Sequence, residues 1–145
     1  MAIKGSCLCG VVRFSVEKFT GPFEICHCNR CRKVTGSIGA TGIGCNTKDF
    51  RLLSGGDAIE SYEAPILHSP PPYKVYFCRH CGSPVPPENP EGDFMEILAG
   101  LLDEDPLIKP DKHIFVEHWP DWDTHTGGLP RFTRQDIIEH RKSNN

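Results

Sequence analysis

The sequence predicts a mainly β domain pinned by metal-binding cysteine knuckles and carrying few, short helices. Three observations support this. Seven of the eight cysteines fall into the groups Cys7-Leu8-Cys9, Cys26-His27-Cys28-Asn29-Arg30-Cys31 and Cys78-Arg79-His80-Cys81. Short runs of β-branched and aromatic residues recur along the chain. Thirteen prolines and fourteen glycines interrupt them often enough to forbid long helices.

The predicted strands are Val11–Val16, Phe23–Cys26, Ala58–Tyr62, Tyr73–Phe77, Phe94–Leu98 and Ile114–Val116. Helical signals are local. Asn29 is placed to cap one turn running to Val34 and ending near Gly36, and Thr47-Lys48-Asp49-Phe50 reads as a second single turn. Thr133-Arg134-Gln135-Asp136 has the spacing of a capping box, which opens a C-terminal helix through about Lys142. Ser37 to Gly44 is open and glycine-rich, with no strand assigned to it, and Ser69-Pro70-Pro71-Pro72 reads as a stiff loop.

Cysteines one or two residues apart, grouped in distant clusters, are how a chain gathers thiolates around zinc. Alternate residues of a strand project to one face about 6.6 Å apart. Their sulfurs can lean together to the roughly 3.8 Å edge of a tetrahedron with Zn–S near 2.3 Å. Cys78-x-x-Cys81 does the same around a tight turn, where Gly82 supplies the positive φ. Four sulfurs plus three means one closed site and one with a vacant position. Disulfides need an oxidising compartment, whereas Met1 to Ser6 leads into Cys7 without an apolar signal segment, so the expected location is cytoplasmic.

At 145 residues the chain is read as one zinc-binding domain, residues 1–145, near the size where metal staples matter. A formal charge of −3 and the lack of a basic tail argue against a nucleic-acid partner. No apolar run approaches the ~20 residues of a membrane span. Oligomeric state is not legible.

Five motifs in order give a resemblance. Gly5-Ser6-Cys7-Leu8-Cys9-Gly10, Cys26-x-Cys28-x-x-Cys31-Arg32-Lys33-x-Thr35-Gly36, Phe77-Cys78-x-x-Cys81-Gly82-Ser83-Pro84, Gly100-x-Leu102-Asp103 and His113-Ile114-Phe115-Val116 together resemble the glutathione-dependent formaldehyde-activating enzyme family, which includes centromere protein V relatives. The resemblance covers roughly residues 5 to 132. It implies a β-tent fold of the Mss4 type with two zinc sites. Carried over by position, Cys7, Cys9, Cys78 and Cys81 form the closed structural site, and Cys26, Cys28 and Cys31 the open, catalytic one.

Three thiolates on one zinc leave a net −1 and a weak Lewis acid, but one open to a soft ligand. The expected function is therefore carbon–sulfur lyase or synthase chemistry on a glutathione adduct, such as S-(hydroxymethyl)glutathione formation from formaldehyde. The alternative is a non-catalytic zinc-stapled binding module. Arg32 and Lys33, inside the motif, are the candidate substrate-binding cations, while Arg30 reads as part of a solvated helix face. His27 and His80 are expected to support ligands or lie at the surface rather than bind metal. His113, His118, His125, Trp119 and Trp122 are expected to pack as aromatics over the tent. Asp103 is a turn residue or a partner to the ligands, and Cys45 a small buried apolar side chain.

Overall fold

The computed structural model describes residues 1–64, 73–123 and 129–144. Two antiparallel edges and one mixed sheet make up the β framework. β1 (Ile3–Ser6), β2 (Arg13–Val16) and β5 (Phe50–Ser54) form a three-stranded antiparallel sheet in the order β1-β2-β5. β3 (Phe19–Cys26), β4 (Ala40–Asn46), β8 (Phe94–Leu98) and β9 (Lys112–Ile114) form a second sheet in the order β8-β4-β3-β9. β6 (Ile59–Ala64) and β7 (Tyr73–Cys78) pair as a separate antiparallel ladder. The helices are α1 (Asn29–Thr35) and α2 (Arg134–Ser143). This is the mainly β tent expected, and no helix among the described residues is long and apolar enough to cross a membrane.

Alternation explains the core. Phe14 and Val16 of β2, Cys45 of β4, and Met95 and Ile97 of β8 point inward with Phe50, filling the space between the two larger sheets. A second cluster of Cys7, Val12, Ala58, Cys78 and Val85 lies beneath the first and last cysteine groups, and Leu52 packs against both. Cys45 is fully buried in the first cluster, as expected of a small apolar side chain. Burial, helped by the charge of Asp49, pushes its thiol up to about 11.

Several elements depart from the sequence reading. The strand placed at 11–16 starts at Arg13, because Val11 and Val12 belong to a turn whose Cys7 N–H donates to the Val12 carbonyl (3.0 Å). The strand placed at 114–116 is Lys112–Ile114 instead; Phe115 has φ 55° and starts a 3₁₀ turn over Val116–His118. Single turns at Asn29–Thr35 and Thr47–Asp49 and the Thr133 capping box are present, although Cys28 caps α1 where Asn29 was expected. The Ser69–Pro72 stretch lies outside the described residues.

The largest departure is in the glycine-rich segment, whose residues from Ala40 onward form β4, one of the two inner strands of its sheet. Low β-propensity misled the sequence reading, because glycine in a strand marks close approach as well as a loop. A Cβ on Gly44 would stand 2.4 Å from the Gly21 carbonyl oxygen and 2.6 Å from the Phe94 ring. At Gly42 the missing side chain leaves room for the Glu96 carboxylate, which an added Cβ would meet at 3.3 Å.

The Glu96 side chain is exposed overall, but partial desolvation of its carboxylate, with the nearby charge of Glu24, raises its pKa above the ordinary carboxylate value. A raised acid pKa means the folded state binds the proton more tightly, so stability falls as pH rises through the folded-state value. Glu96→Gln is therefore expected to melt higher than the wild type near neutral pH. The gain should shrink toward zero as pH falls below the unfolded-state value, which a denaturation series across that window measures.

Candidate metal and thiol site

The first and third cysteine groups converge. Cys7 and Cys9 follow β1, while Cys78 ends β7 and Cys81 lies on the turn after it, and all four Sγ atoms fall within 4.8 Å of one another. The Cys7–Cys9 and Cys9–Cys78 sulfur separations are 3.6 and 3.8 Å. That is far longer than a disulfide bond and matches the tetrahedron edge for a thiolate-bound metal. All eight cysteines are free.

Backbone hydrogen bonds build each knuckle. Val12 N–H donates to Cys7 Sγ (3.3 Å) and Gly10 N–H to the Cys7 carbonyl (3.0 Å). Cys7-Leu8-Cys9 is thus a turn and not the strand step that its spacing suggested. On the other side Gly82 N–H donates to the Cys78 carbonyl (2.7 Å), with Gly82 at φ 77° as the turn requires. Ser83 joins the two: its hydroxyl accepts from Leu8 N–H (3.0 Å) and lies 3.4 Å from Cys81 Sγ. The Ser83 hydroxyl and N–H lower the Cys81 thiol to about 5, so one anionic sulfur is prepared in this group. Asp103 is a fold residue and not a partner of the sulfurs. It accepts the Ser6 hydroxyl (2.8 Å), and its N–H donates to the Lys4 carbonyl (2.9 Å).

The middle group forms a second cluster, with Cys26, Cys28 and Cys31 Sγ atoms within 4.8 Å of one another. Cys26 ends β3 between Ala40 of β4 and Ile114 of β9. Cys28 is the N-cap of α1, its sulfur accepting from Cys31 N–H (3.3 Å), and Cys31 lies in the first turn. Burial raises the Cys26 and Cys31 thiols, whereas at Cys28 it is outweighed by N–H donors led by that of Cys31, which lower the thiol. Among the described residues no histidine, carboxylate or eighth cysteine joins this cluster; Cys45 stays in the core.

The two histidines between cysteines have opposite fates. His80 is exposed. His27 is fully buried: its Nδ1 donates to the Ile38 carbonyl (3.0 Å), its Nε2 meets His113 Nδ1 (2.8 Å), and its backbone N–H donates to the Ile114 carbonyl (3.1 Å). Trp119 stacks on its ring at 3.9 Å between centroids, and the Trp119 indole N–H donates to Asp123. A carbonyl only accepts, so in the neutral ring Nε2 accepts from His113. His27 therefore holds the peptide between Cys26 and Cys28 in place. His113 and Trp119 pack as expected, but Trp122 is exposed, His118 sits beside Glu117 (3.7 Å), and His125 lies outside the described residues.

Three cations follow from α1. Arg32 Nη2 donates to Asn29 Oδ1 (2.5 Å), while its buried Nε has no hydrogen-bond partner among the described residues. Lys33 is exposed. Arg30 is half-buried, not solvated, with its guanidinium 4.9 Å above the Tyr73 ring. Sequence reasoning missed Tyr73, which reads only as a strand residue. Burial and the negative charge of Cys31 and Cys28 push its hydroxyl up to about 12.

The match to known proteins is now decisive. The family model described as glutathione-dependent formaldehyde-activating enzyme matches residues 2–118. The chain belongs to this family. A Halomonas elongata protein provisionally named as such an enzyme is 32% identical over 127 residues, covering 84% of this chain and 80% of the relative. A crystal structure of a Rhodobacter sphaeroides protein superposes with a TM-score of 0.53 at 21% identity, covering 77% of this chain and 99% of that one, and it supports the fold alone.

The contrast between the two histidines is measurable. His27→Ala removes a buried ring with two side-chain hydrogen bonds and a stack, which should cost about 3 kcal/mol in urea unfolding. His80→Ala should stay within about 0.5 kcal/mol of the wild type.

Proposed function

We propose that this family member is a zinc-dependent carbon–sulfur lyase or synthase, joining glutathione to formaldehyde as S-(hydroxymethyl)glutathione or reversing that step. The observation that carries the reading is the three-sulfur cluster at the N-terminus of α1, with cations on the same helix. Soft sulfur donors at tetrahedral spacing fit zinc in both groups: Cys7, Cys9, Cys78 and Cys81 as a closed structural set, and Cys26, Cys28 and Cys31 as an open one. Zinc held by three thiolates would supply one position for a fourth, soft, anionic ligand.

The chain's own residues account for the rest. Three thiolates outweigh one dication, so an incoming thiolate enters a negative site and needs positive neighbours. Arg30, Arg32 and Lys33 supply them. The buried Arg32 Nε–H, without an acceptor among the described residues, is a cost of roughly 1–3 kcal/mol that a glutathione carboxylate relieves, in the bidentate fashion that suits guanidinium. In the synthetic direction the glutathione sulfur adds to the carbonyl carbon, and the thiol proton ends on the carbonyl oxygen. The Tyr73 hydroxyl, held at about 12, stays protonated and serves as a hydrogen-bond donor to that oxygen. His27, clamped by Ile38 and His113, keeps Cys26 and Cys28 aligned. Catalysis here is capture and orientation rather than strong acid–base work.

Glutathione is expected to bind the zinc-loaded protein at least tenfold more tightly than S-methylglutathione, which keeps both carboxylates but presents no thiolate. Calorimetry measures the ratio, and equal affinities would remove the metal from the recognition. Cys28→Ser should abolish the difference while leaving the protein folded, because serine is a good N-cap and preserves α1.

Cys78→Ser is expected to behave differently. Structural zinc contributes on the order of 10 kcal/mol in small sites, comparable to the whole stability of a domain. The variant should be insoluble or melt without cooperativity. A soluble Cys78→Ser protein with a sharp melt would show that the four-cysteine group does not hold the fold together.

A further inference from the structure

Formaldehyde brings two heavy atoms to the site, yet a much larger space opens next to it. Between α1 and the β6–β7 ladder lies a pocket of about 600 Å³, walled by Val34, Tyr62, Ala64, Val75 and Phe77, with Arg30 and Lys33 on the α1 side. The register explains its apolar floor. Tyr62 is directly opposite Val75 and Ala64 opposite Tyr73, so these side chains share one face of the ladder, together with Phe77. Pockets of this volume with apolar walls and a few charged groups accommodate ligands far larger than a one-carbon unit.

The pocket and the sulfur site share α1. Arg30 precedes Cys31 in α1 and lines the pocket, and its guanidinium covers the Tyr73 ring. Tyr73, opposite Ala64, stands on the same face of the ladder as the pocket walls. An adduct whose sulfur sits at the three cysteines is therefore next along α1 to Arg30, and the pocket that Arg30 lines has hydrocarbon walls.

We propose that, beside formaldehyde, this site takes aldehydes with an apolar arm of about four to eight carbons, and that the arm occupies the pocket between α1 and the β6–β7 ladder. The inference rests on the thiol-binding reading above and changes only what the reacting carbon carries. Glutathione sulfur still adds to the carbonyl carbon, the thiol proton still goes to oxygen, and no oxidant or reductant is required. Arg30 and Lys33 hold the peptide's carboxylates at the rim, and the arm points inward.

The test separates the arm from the thiol. S-methylglutathione and S-hexylglutathione share the peptide and both lack a thiolate, so their ratio reads the pocket alone. Each methylene fully removed from water multiplies affinity about fourfold. With the arm part-covered, S-hexylglutathione is expected to bind about 30-fold tighter than the S-methyl compound in calorimetry on the zinc-loaded protein. Val75→Trp, which fills the pocket, should erase that ratio while leaving S-methylglutathione affinity unchanged. Nuclear Overhauser contacts from the hexyl protons to Val34, Val75 and Phe77 are expected in the wild type and provide a reading that does not depend on the variant folding. Equal affinities of the two thioethers, or hexyl contacts elsewhere, would overturn the pocket assignment. If glutathione itself still bound tightly through sulfur in that case, the thiol-site reading would stand without it.

Discussion

Four sulfurs brought within 4.8 Å tie the first ten residues to the end of β7, and much of the remaining structure depends on that convergence. Chain segments about 70 residues apart also meet through the small cluster of Cys7, Val12, Ala58, Cys78 and Val85 and through the Leu8–Ser83 hydrogen bond. Like-charged thiolates at 3.6 to 3.8 Å repel, so the arrangement is stable only with protons or a cation among them. The hydrogen bonds around it set geometry rather than supply attraction. Ser83 illustrates this, since one hydroxyl accepts from Leu8 and lies against Cys81, fixing the position of one knuckle relative to the other.

The middle cysteine group is organised on a different principle. Its three sulfurs come from the end of a strand, a helix cap and a first helical turn, three consecutive pieces of chain. Local sequence can form such a site, but not hold it still. Rigidity is imported from the far end of the chain: β9 pairs in parallel with β3 beside Cys26, and His113 and Trp119 seal His27. The site is therefore locally encoded in chemistry and globally encoded in precision.

Much of this is legible in sequence where chemistry sets the spacing. The cysteine groups, Gly82, the Thr133 capping box and the burial of Cys45 all follow from local rules. Where tertiary contact overrides propensity, legibility ends. β4 looks like a loop because its glycines answer to Gly21, Phe94 and Glu96, which are remote in sequence. The same holds at the site. His27 and His80 look alike between their cysteines, and only the arrival of His113 and Trp119 makes one a buried clamp and leaves the other in water. Tyr73 and Arg30 become neighbours only when β7 packs beside α1, so neither announces itself in the chain.

The parallel β3–β9 pairing also imposes an order in time. Every cysteine of the four-cysteine group has been synthesised once residue 81 emerges, so that group can gather while the C-terminal third is still unmade. Cys26, Cys28 and Cys31 emerge much earlier, yet His27 stays uncovered until residues 113 to 119 have left the ribosome and closed a loop of nearly ninety residues. During that interval the nascent chain carries four gathered sulfurs alongside three thiols whose buried clamp has not yet formed. The middle cysteine group is thus the last to be shielded from oxidants and electrophiles, although it is among the first parts to be made.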